Sequence, residues 1–420
     1  MYELTKHRCL KHMLCKKNPK LSINNGGLLS SMILLVNAFV SLFCISSILR
    51  EIVTVTAFSD YEVFMIWSTN FCGAVVSIIA GAFFVGKFHK QTHFLLFWIL
   101  FGIISSITPI FMDMASISNV LAASALLSVS LGLGLPVCMA MFADHTVIEN
   151  RARLGGMTLL FIMVLGALTS NFITENMITS SLVLACWRGI ALIVFFIADS
   201  KEGFVRRRNN ISFGSVLQER SFILYIVPWT MFSLVNYLSA PITINIHGEG
   251  FMYILVLIGN ILTGVFAIFG GYLSDTIGRK RLTITGFIIL GLGYAILGIY
   301  PQNRMCLYFY TVVDGIAWGI FFVIFFFTIW GDLAYGKSSE KYYALGSLPY
   351  LLSNFLRLTA GPFISNVVSA YAIFSFATFF LFLAVIPLMY APETLPEKKI
   401  KERELKRYIE KAKKVREKYE

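Results

Sequence analysis

Charged residues are scarce in this sequence. They make up 14% of its 420 residues, whereas an average soluble domain carries roughly 25%. Hydrophobic residues make up 57% of the chain. We infer no disulfide framework from the seven cysteines, because several of them lie inside apolar runs. This composition excludes a soluble globular protein and a disordered one, and it predicts a chain of membrane-spanning segments.

The hydrophobic residues fall into twelve runs, each long enough to cross a bilayer core of ~30 Å as a helix. None of the runs alternates polar and apolar residues as the strands of a membrane barrel do. The sequence therefore predicts an all-α polytopic membrane protein. The predicted spans are 28–48, 62–86, 94–112, 119–142, 157–177, 180–198, 221–242, 250–273, 282–300, 306–331, 346–369 and 371–391.

The Lys and Arg residues predict the orientation of the spans, because cytoplasmic loops carry an excess of them. With the N-terminus inside, all but four of the 35 Lys and Arg residues fall in inside segments. Arg50 and Arg304 lie in outside loops, and Arg188 and Arg357 lie within spans. We therefore expect a multi-pass protein of the cytoplasmic membrane with both termini in the cytoplasm. The net charge of +12 reflects these loops and does not indicate a nucleic-acid partner.

The longest internal polar linker divides the chain into six spans plus six. We predict a cytoplasmic N-terminal tail, a six-helix bundle, a cytoplasmic linker, a second six-helix bundle and a basic cytoplasmic tail. Their bounds are 1–27, 28–198, 199–220, 221–391 and 392–420. The end of the last segment has apolar residues at helical spacing among many Lys and Arg residues. It is typical of an amphipathic helix beside anionic lipids, or equally of a solvated helix.

The two halves of the chain carry similar residues at corresponding positions. Gly81 and Gly271 each open a polar turn after the second span of their half, about 190 residues apart. Glu149 and Glu340 follow the fourth spans at nearly the same interval. A duplicated six-helix unit is one of the transporter architectures, in which the substrate site lies between the halves near the midplane.

The turn that begins at Gly271 has a recognisable motif. Its sequence, Gly-Tyr-Leu-Ser-Asp-Thr-Ile-Gly-Arg-Lys-Arg over 271–281, resembles the G-x-L-x-D-x-x-G-R-K/R loop of the major facilitator superfamily. Pro392-Glu393-Thr394 resembles the sequence after the twelfth helix of sugar porters in that family, although the next residues depart from that subgroup. The resemblance covers nearly the whole chain. It implies two pseudo-symmetric six-helix bundles, a monomer and a cavity surrounded by spans one, four, seven and ten.

These motif residues predict a latch at the cytoplasmic ends of the helices. Gly271 and Gly278 permit a close helix approach and a tight turn. Asp275 suits a helix N-terminus, and the start of span eleven is its expected partner. Arg279 is expected to pair with an acidic residue. The alternative is a plain basic turn. The predicted latch residues are Gly271, Asp275, Gly278, Arg279, Lys280, Arg281, Asp332, Glu340 and Glu393.

In the first half, the matching turn departs from the motif because Val85 replaces the acid and Phe88 the second glycine. We therefore expect any latch of this half to be built differently, with Asp144, Glu149 and Arg151 as candidates.

Ionisable residues inside a membrane are costly and usually functional. Asp314 lies about 12 Å from the outer end of span ten, and Arg357 about 16 Å from the inner start of span eleven. This similar depth predicts an ion pair, or two charges that face one cavity. The other predicted cavity residues are polar or aromatic residues on suitable spans, although the Asn residues could simply join helices. They are Asn37, Asn236, Asn260, Tyr310, Trp318, Tyr350 and Asn354. Arg188 on span six receives no predicted role.

We expect a secondary transporter that works by alternating access, with a small-molecule substrate, protons and membrane lipids as its partners. Asp314 would take up a proton and release Arg357, or Arg357 would bind an anionic group of the substrate. The alternative is a non-transporting sensor that signals through its basic tail. Residues 331–338 match a phosphate-loop pattern, but a membrane span precedes them, and we treat the match as chance. We see no nucleophile–base pair and no metal-ligand cluster, so we expect neither an enzyme nor a cofactor.

Overall fold

A computed structural model describes residues 25–87, 91–199 and 211–396 of the chain. Eleven of its helices are long and apolar enough to cross a membrane. They confirm an all-α polytopic fold and correspond to eleven of the twelve predicted spans. In chain order they are Gly26–Thr56, Asp60–Lys87, Thr92–Phe111, Ile117–His145, Arg151–Ser170, Met177–Ile197, Arg220–His247, Glu249–Ile277, Arg279–Ile299, Arg304–Leu333 and Ala370–Tyr390. We number them as spans one to ten and span twelve.

The predicted eleventh span, 346–369, corresponds to two helices, Ser339–Thr359 and Gly361–Val367. The first begins seven residues before the predicted start and includes Glu340 and Lys341, which are 3% and 6% exposed. These charges are shielded by protein, so this end of the span tolerates residues that a lipid-facing helix would not. Apolar length alone therefore underestimates this helix. We keep the name span eleven for Ser339–Thr359.

Spans one to six form the first half of the molecule, and spans seven to twelve form the second half. The inner end is the end of the molecule predicted to face the cytoplasm. The short helix Phe213–Gln218 leads into span seven. The predicted tails 1–27 and 392–420 lie largely outside the described residues, as does half of the predicted linker 199–220.

The two halves meet most closely where span five packs against span eight. A Cβ atom placed on Gly271 would lie 2.3 Å from the carbonyl oxygen of Ala152. A Cβ atom placed on Gly156 would lie 2.3 Å from the carbonyl oxygen of Ala267. Only glycine lets the two backbones approach this closely, as small residues do in other membrane helix pairs. This contact brings the inner ends of the two halves together.

Span ten contains a buried π-helical segment, Val323–Thr328, at the boundary between the halves. The Phe326 ring lies 5.4 Å from the ring of Phe39 on span one, in an edge-to-face arrangement. The Phe327 ring lies 5.8 Å from the ring of Phe142 on span four. Single π turns occur often at functional sites, and this one directs aromatic side chains across the interface.

Candidate functional site

The inner end of the interface is closed by a carboxylate at a helix N-terminus. The fully buried Asp275, near the end of span eight, accepts hydrogen bonds from the backbone N–H groups of Ala152 and Arg153 at 3.3 and 2.9 Å. These groups belong to the first turn of span five, where unpaired N–H groups and the helix dipole favour an anion. Asp275 therefore joins the second half of the chain to the first.

We predicted that Asp275 would bind the start of span eleven, and this prediction was wrong. The glycine contact between spans five and eight places a different helix N-terminus beside the carboxylate. Sequence position told us which helices begin at the inner end, but it did not tell us which of them lies against span eight.

A buried ion-pair network extends this contact. Arg279 pairs with Asp275 and with Asp332, at 3.1 Å each. Asp332, at the inner end of span ten, also pairs with Arg151 of span five at 2.5 Å. The side chains of these four residues are at most 5% exposed. Two acids and two arginines balance one another, which buried charges require.

Glu393 completes the same region from the segment after span twelve. Its carboxylate accepts hydrogen bonds from the backbone N–H groups of Arg279 and Lys280, at 2.9 and 3.1 Å, and so caps span nine. Gly278 adopts a φ of +114°, and a Cβ atom there would lie 2.5 Å from a Glu393 oxygen. Thr394 donates to Asp332 at 3.0 Å. Two residues of the sugar-porter-like triplet therefore support the latch.

The remaining predicted latch residues take other positions. Lys280 Nζ donates to the Met389 carbonyl at 2.7 Å, and Arg281 is exposed. Glu340 accepts from Ser338 Oγ at 2.8 Å. Arg151, proposed for a separate latch of the first half, instead pairs across the interface. Sequence reasoning missed the Ile148 carbonyl, which accepts from Arg279 at 2.5 Å, because backbone acceptors leave no trace in residue type.

The outer part of the second half contains a chain of hydroxyl groups that ends at Asp314. Tyr310 lies one helical turn from Asp314, and its hydroxyl is 3.2 Å from the carboxylate. The hydroxyls of Tyr310 and Tyr294 are 2.8 Å apart, and that of Tyr294 is 2.7 Å from Ser239 Oγ. The chain links spans seven, nine and ten. Each phenol has one proton, so an ionised Asp314 orients every hydrogen bond towards itself.

Arg357 lies in an aromatic setting on span eleven. Its guanidinium carbon is 5.2 Å from the ring centre of Tyr237, and one of its N–H groups donates to Asn354 at 3.2 Å. The predicted ion pair with Asp314 is not among the ion pairs of the described residues. That both charges face one cavity remains a prediction.

The centre of the molecule is an aromatic cavity between the halves. The cavity is small, and its walls carry no charged group. Tyr350, a predicted cavity residue, is in its wall and lies 5.7 Å from Tyr237, ring to ring. Trp318 lies 5.6 Å from the same Tyr237 ring. The cavity is lined by Phe39, Phe43, Leu159, Ile162, Met163, Phe322, Phe326, Phe327 and Tyr350.

Three of the asparagines predicted to line the cavity differ in position. Asn37 Nδ2 donates to the Trp187 carbonyl at 2.6 Å, and Trp187 Nε1 donates back to the Asn37 carbonyl at 3.1 Å. Asn37 therefore joins spans one and six inside the first half, which corrects its placement at the central cavity. Asn260 is exposed on span eight. The side chain of Asn236 lies outside the described part of the chain.

Known proteins resemble this chain in sequence and in fold. The sequence profile of the Major Facilitator Superfamily matches residues 211–418. No curated protein matches the sequence. The proton:xylose symporter XylE bound to 6-bromo-6-deoxy-D-glucose shares the fold with a TM-score of 0.67 at 13% identity, over 88% of this chain and 96% of that chain. The human organic anion transporter MFSD10 (TETRAN) shares it with a TM-score of 0.62 at 12% identity, over 86% and 99%.

Proposed function

Because the chain belongs to the major facilitator superfamily, we propose that it carries a small solute across the cytoplasmic membrane by alternating access. The bundles 28–198 and 221–391 are the two moving bodies, and both termini face the cytoplasm. One observation supports this proposal above the others: Asp275 of the second half closes on the N-terminus of span five in the first. The comparisons give the alternative of a non-transporting sensor no support.

The latch suits a reversible closure. Its contacts are hydrogen bonds and ion pairs among buried charged groups. When the halves separate, water replaces these partners, and the hydration regained offsets much of the attraction lost. An apolar seal would lack this compensation, since its opening would expose hydrophobic surface. The structure with the inner end closed is therefore one of two states of similar free energy.

We propose that Asp314 is the proton-coupling group. Uptake of a proton turns its carboxylate from an acceptor into a donor and lets the hydroxyl chain to Ser239 reverse. That chain links three spans, so the protonation state of one residue acts on the packing of the second half.

The test uses purified protein in proteoliposomes. A thermal-shift screen against sugars, organic acids, amino acids and lipophilic cations first identifies a substrate. Uptake is then measured with and without an imposed pH gradient. We expect the gradient to drive uptake by the unmodified protein and not by Asp314→Asn, which still allows exchange of labelled for unlabelled substrate. Unchanged coupling in the variant would refute the role of Asp314. A protein that carries none of the screened solutes would count against transport itself.

A second role is proposed for Arg357, as the group that binds an anionic part of the substrate. Its Nε–H is buried and has no hydrogen-bond acceptor within the described ranges, and the aromatic cavity begins two turns away at Tyr350. A guanidinium binds a carboxylate through paired hydrogen bonds that lysine cannot reproduce. We expect Arg357→Lys and Arg357→Gln both to raise the KM of anionic solutes and to leave that of neutral ones unchanged. Equal effects on both classes would contradict this role.

A further inference from the structure

Arg188 lies in the middle of the first half, and it is only 5% exposed. Its Nη1 donates to the carbonyl of Gly102 on span three at 2.7 Å and to Ser130 Oγ on span four at 2.8 Å. A Cβ atom on Gly102 would lie 3.2 Å from Nη1, so the glycine makes room for the guanidinium. Trp98 Nε1 donates to the Ser130 carbonyl at 2.7 Å and holds the adjoining helix. The guanidinium thus sits in a defined position with uncharged acceptors.

No described acid neutralises this charge. The ion pairs of the described residues do not include Arg188. The sequence has no Asp or Glu over 63–112, 114–143 or 176–198, so the acids of the first half lie near the ends of its helices. A buried cation without a counter-charge is strongly unfavourable, because hydrogen bonds to neutral groups replace only part of its hydration.

Two buried polar groups at one small cavity have no hydrogen-bond partner within the described ranges. Arg188 Nη2 and Ser41 Oγ are buried, and neither has a hydrogen-bond partner among the residues that the structure describes. Both residues line a small cavity between spans one, three, four and six, with room for about one water-sized sphere. Its other walls are mostly apolar and come from Asn37, Trp98, Ile99, Gly102, Leu131 and Ala191.

We propose that this cavity binds one small monovalent inorganic anion of the chloride class, held by Arg188 Nη2 and Ser41 Oγ. Both groups can donate a hydrogen bond to it, and the ion supplies the missing negative charge. A cation is excluded by the guanidinium. Sulfate and phosphate carry more charge and need more donors than these walls offer. The cavity lies within one half, so the ion acts as a fixed counter-charge that joins four helices and is separate from the transported solute.

The test measures chloride binding to the purified protein in detergent. Sodium concentration and ionic strength are held constant with gluconate, which is too large for the cavity. We expect the melting temperature to rise with chloride or bromide until it saturates, and not with sulfate. Equilibrium dialysis with radiolabelled chloride is expected to find one ion per chain. A melting temperature that does not depend on chloride, with no saturable binding, would overturn the proposal and leave water as the occupant.

Variants at Ser41 separate the proposed site from any surface effect of salt. Ser41→Ala removes one donor to a charged ligand and is expected to weaken chloride binding about tenfold. Ser41→Asp supplies a carboxylate beside Arg188 and is expected to make the melting temperature independent of chloride. This variant keeps the arginine, so it remains informative if Arg188→Gln fails to fold. Arg304→Gln, which removes an exposed arginine, should respond to chloride as the unmodified protein does. Equal chloride responses in the Ser41 variants would place the ion elsewhere and overturn the assignment.

Discussion

Asp332 is the residue on which the latch depends most, because it lies between two arginines. Replacement by Asn leaves Arg151 and Arg279 buried with one carboxylate fewer, and breaking a buried pair costs about 3–5 kcal/mol. We expect Asp332→Asn to lower the melting temperature and to open the inner end. A cysteine introduced at Ile148 in a cysteine-free background should then react faster with an impermeant maleimide in inside-out vesicles. Asp113→Asn, which neutralises an exposed acid, should change neither quantity. A latch that stays closed in Asp332→Asn would contradict this assignment.

Several residues that meet at the inner end could be predicted from sequence, but several of their partners could not. A motif with fixed spacing marked Asp275, Gly278 and Arg279, since turns and helix ends depend on local residue type. The backbone groups that Asp275 binds belong to a helix more than a hundred residues away. For Arg357, counting residues gave the depth in the membrane and left the direction around the helix open. Depth in the membrane is only one of the three coordinates of a side chain, and all three are needed to predict a contact between two residues.

At the scale of helices, the contact between spans five and eight decides whether the inner end can close. Gly156→Ala places a Cβ atom 2.3 Å from the Ala267 carbonyl oxygen, a distance that the backbones must relieve by moving apart. Overpacking of this kind costs about 1–3 kcal/mol. We expect a lower melting temperature than for Gly189→Ala, the matched control on span six, where an added Cβ meets nothing within 4 Å. Equal melting temperatures of the two variants would show that this helix contact is not tightly packed.

The helices themselves were predictable from apolar length, with informative exceptions. Span eleven is more polar than the rest because protein shields its inner end. The π turn Val323–Thr328 has an entirely apolar stretch around it and gave no signal in the sequence. Hydrophobicity reports transfer into lipid, so it locates a helix and says nothing of its local winding or of the neighbour it meets.

At the scale of the molecule, the fold followed from composition, charge asymmetry and one motif, whereas the state of the molecule did not. The same sequence must fit two arrangements of the halves if it works by alternating access. Both arrangements keep the packing within each half and exchange the contacts between halves. The helical periodicity of apolar residues in the sequence indicates the packing within each half. The choice of state depends on small free-energy differences that only the three-dimensional contacts express.

A reversible tether across the inner end tests this motion directly. Arg153 of the first half lies over the ring of Tyr272 of the second, with its guanidinium carbon 4.7 Å from the ring centre. We expect a disulfide between cysteines at these two positions to prevent opening of the inner end. An additional cysteine at Asn354 should then lose reactivity towards an impermeant maleimide from the cytoplasmic face and keep it from the opposite face. Reduction should restore the lost reactivity.

The matched control pairs Phe251 with Tyr308, whose rings lie 5.8 Å apart within the second half. The disulfide of this control pair should leave the reactivity of the cysteine at position 354 unchanged from both faces of the membrane. A bond within one half does not hinder the motion of the two halves if each half moves as a rigid body. If the cross-half tether also changes nothing, the halves do not separate at this end.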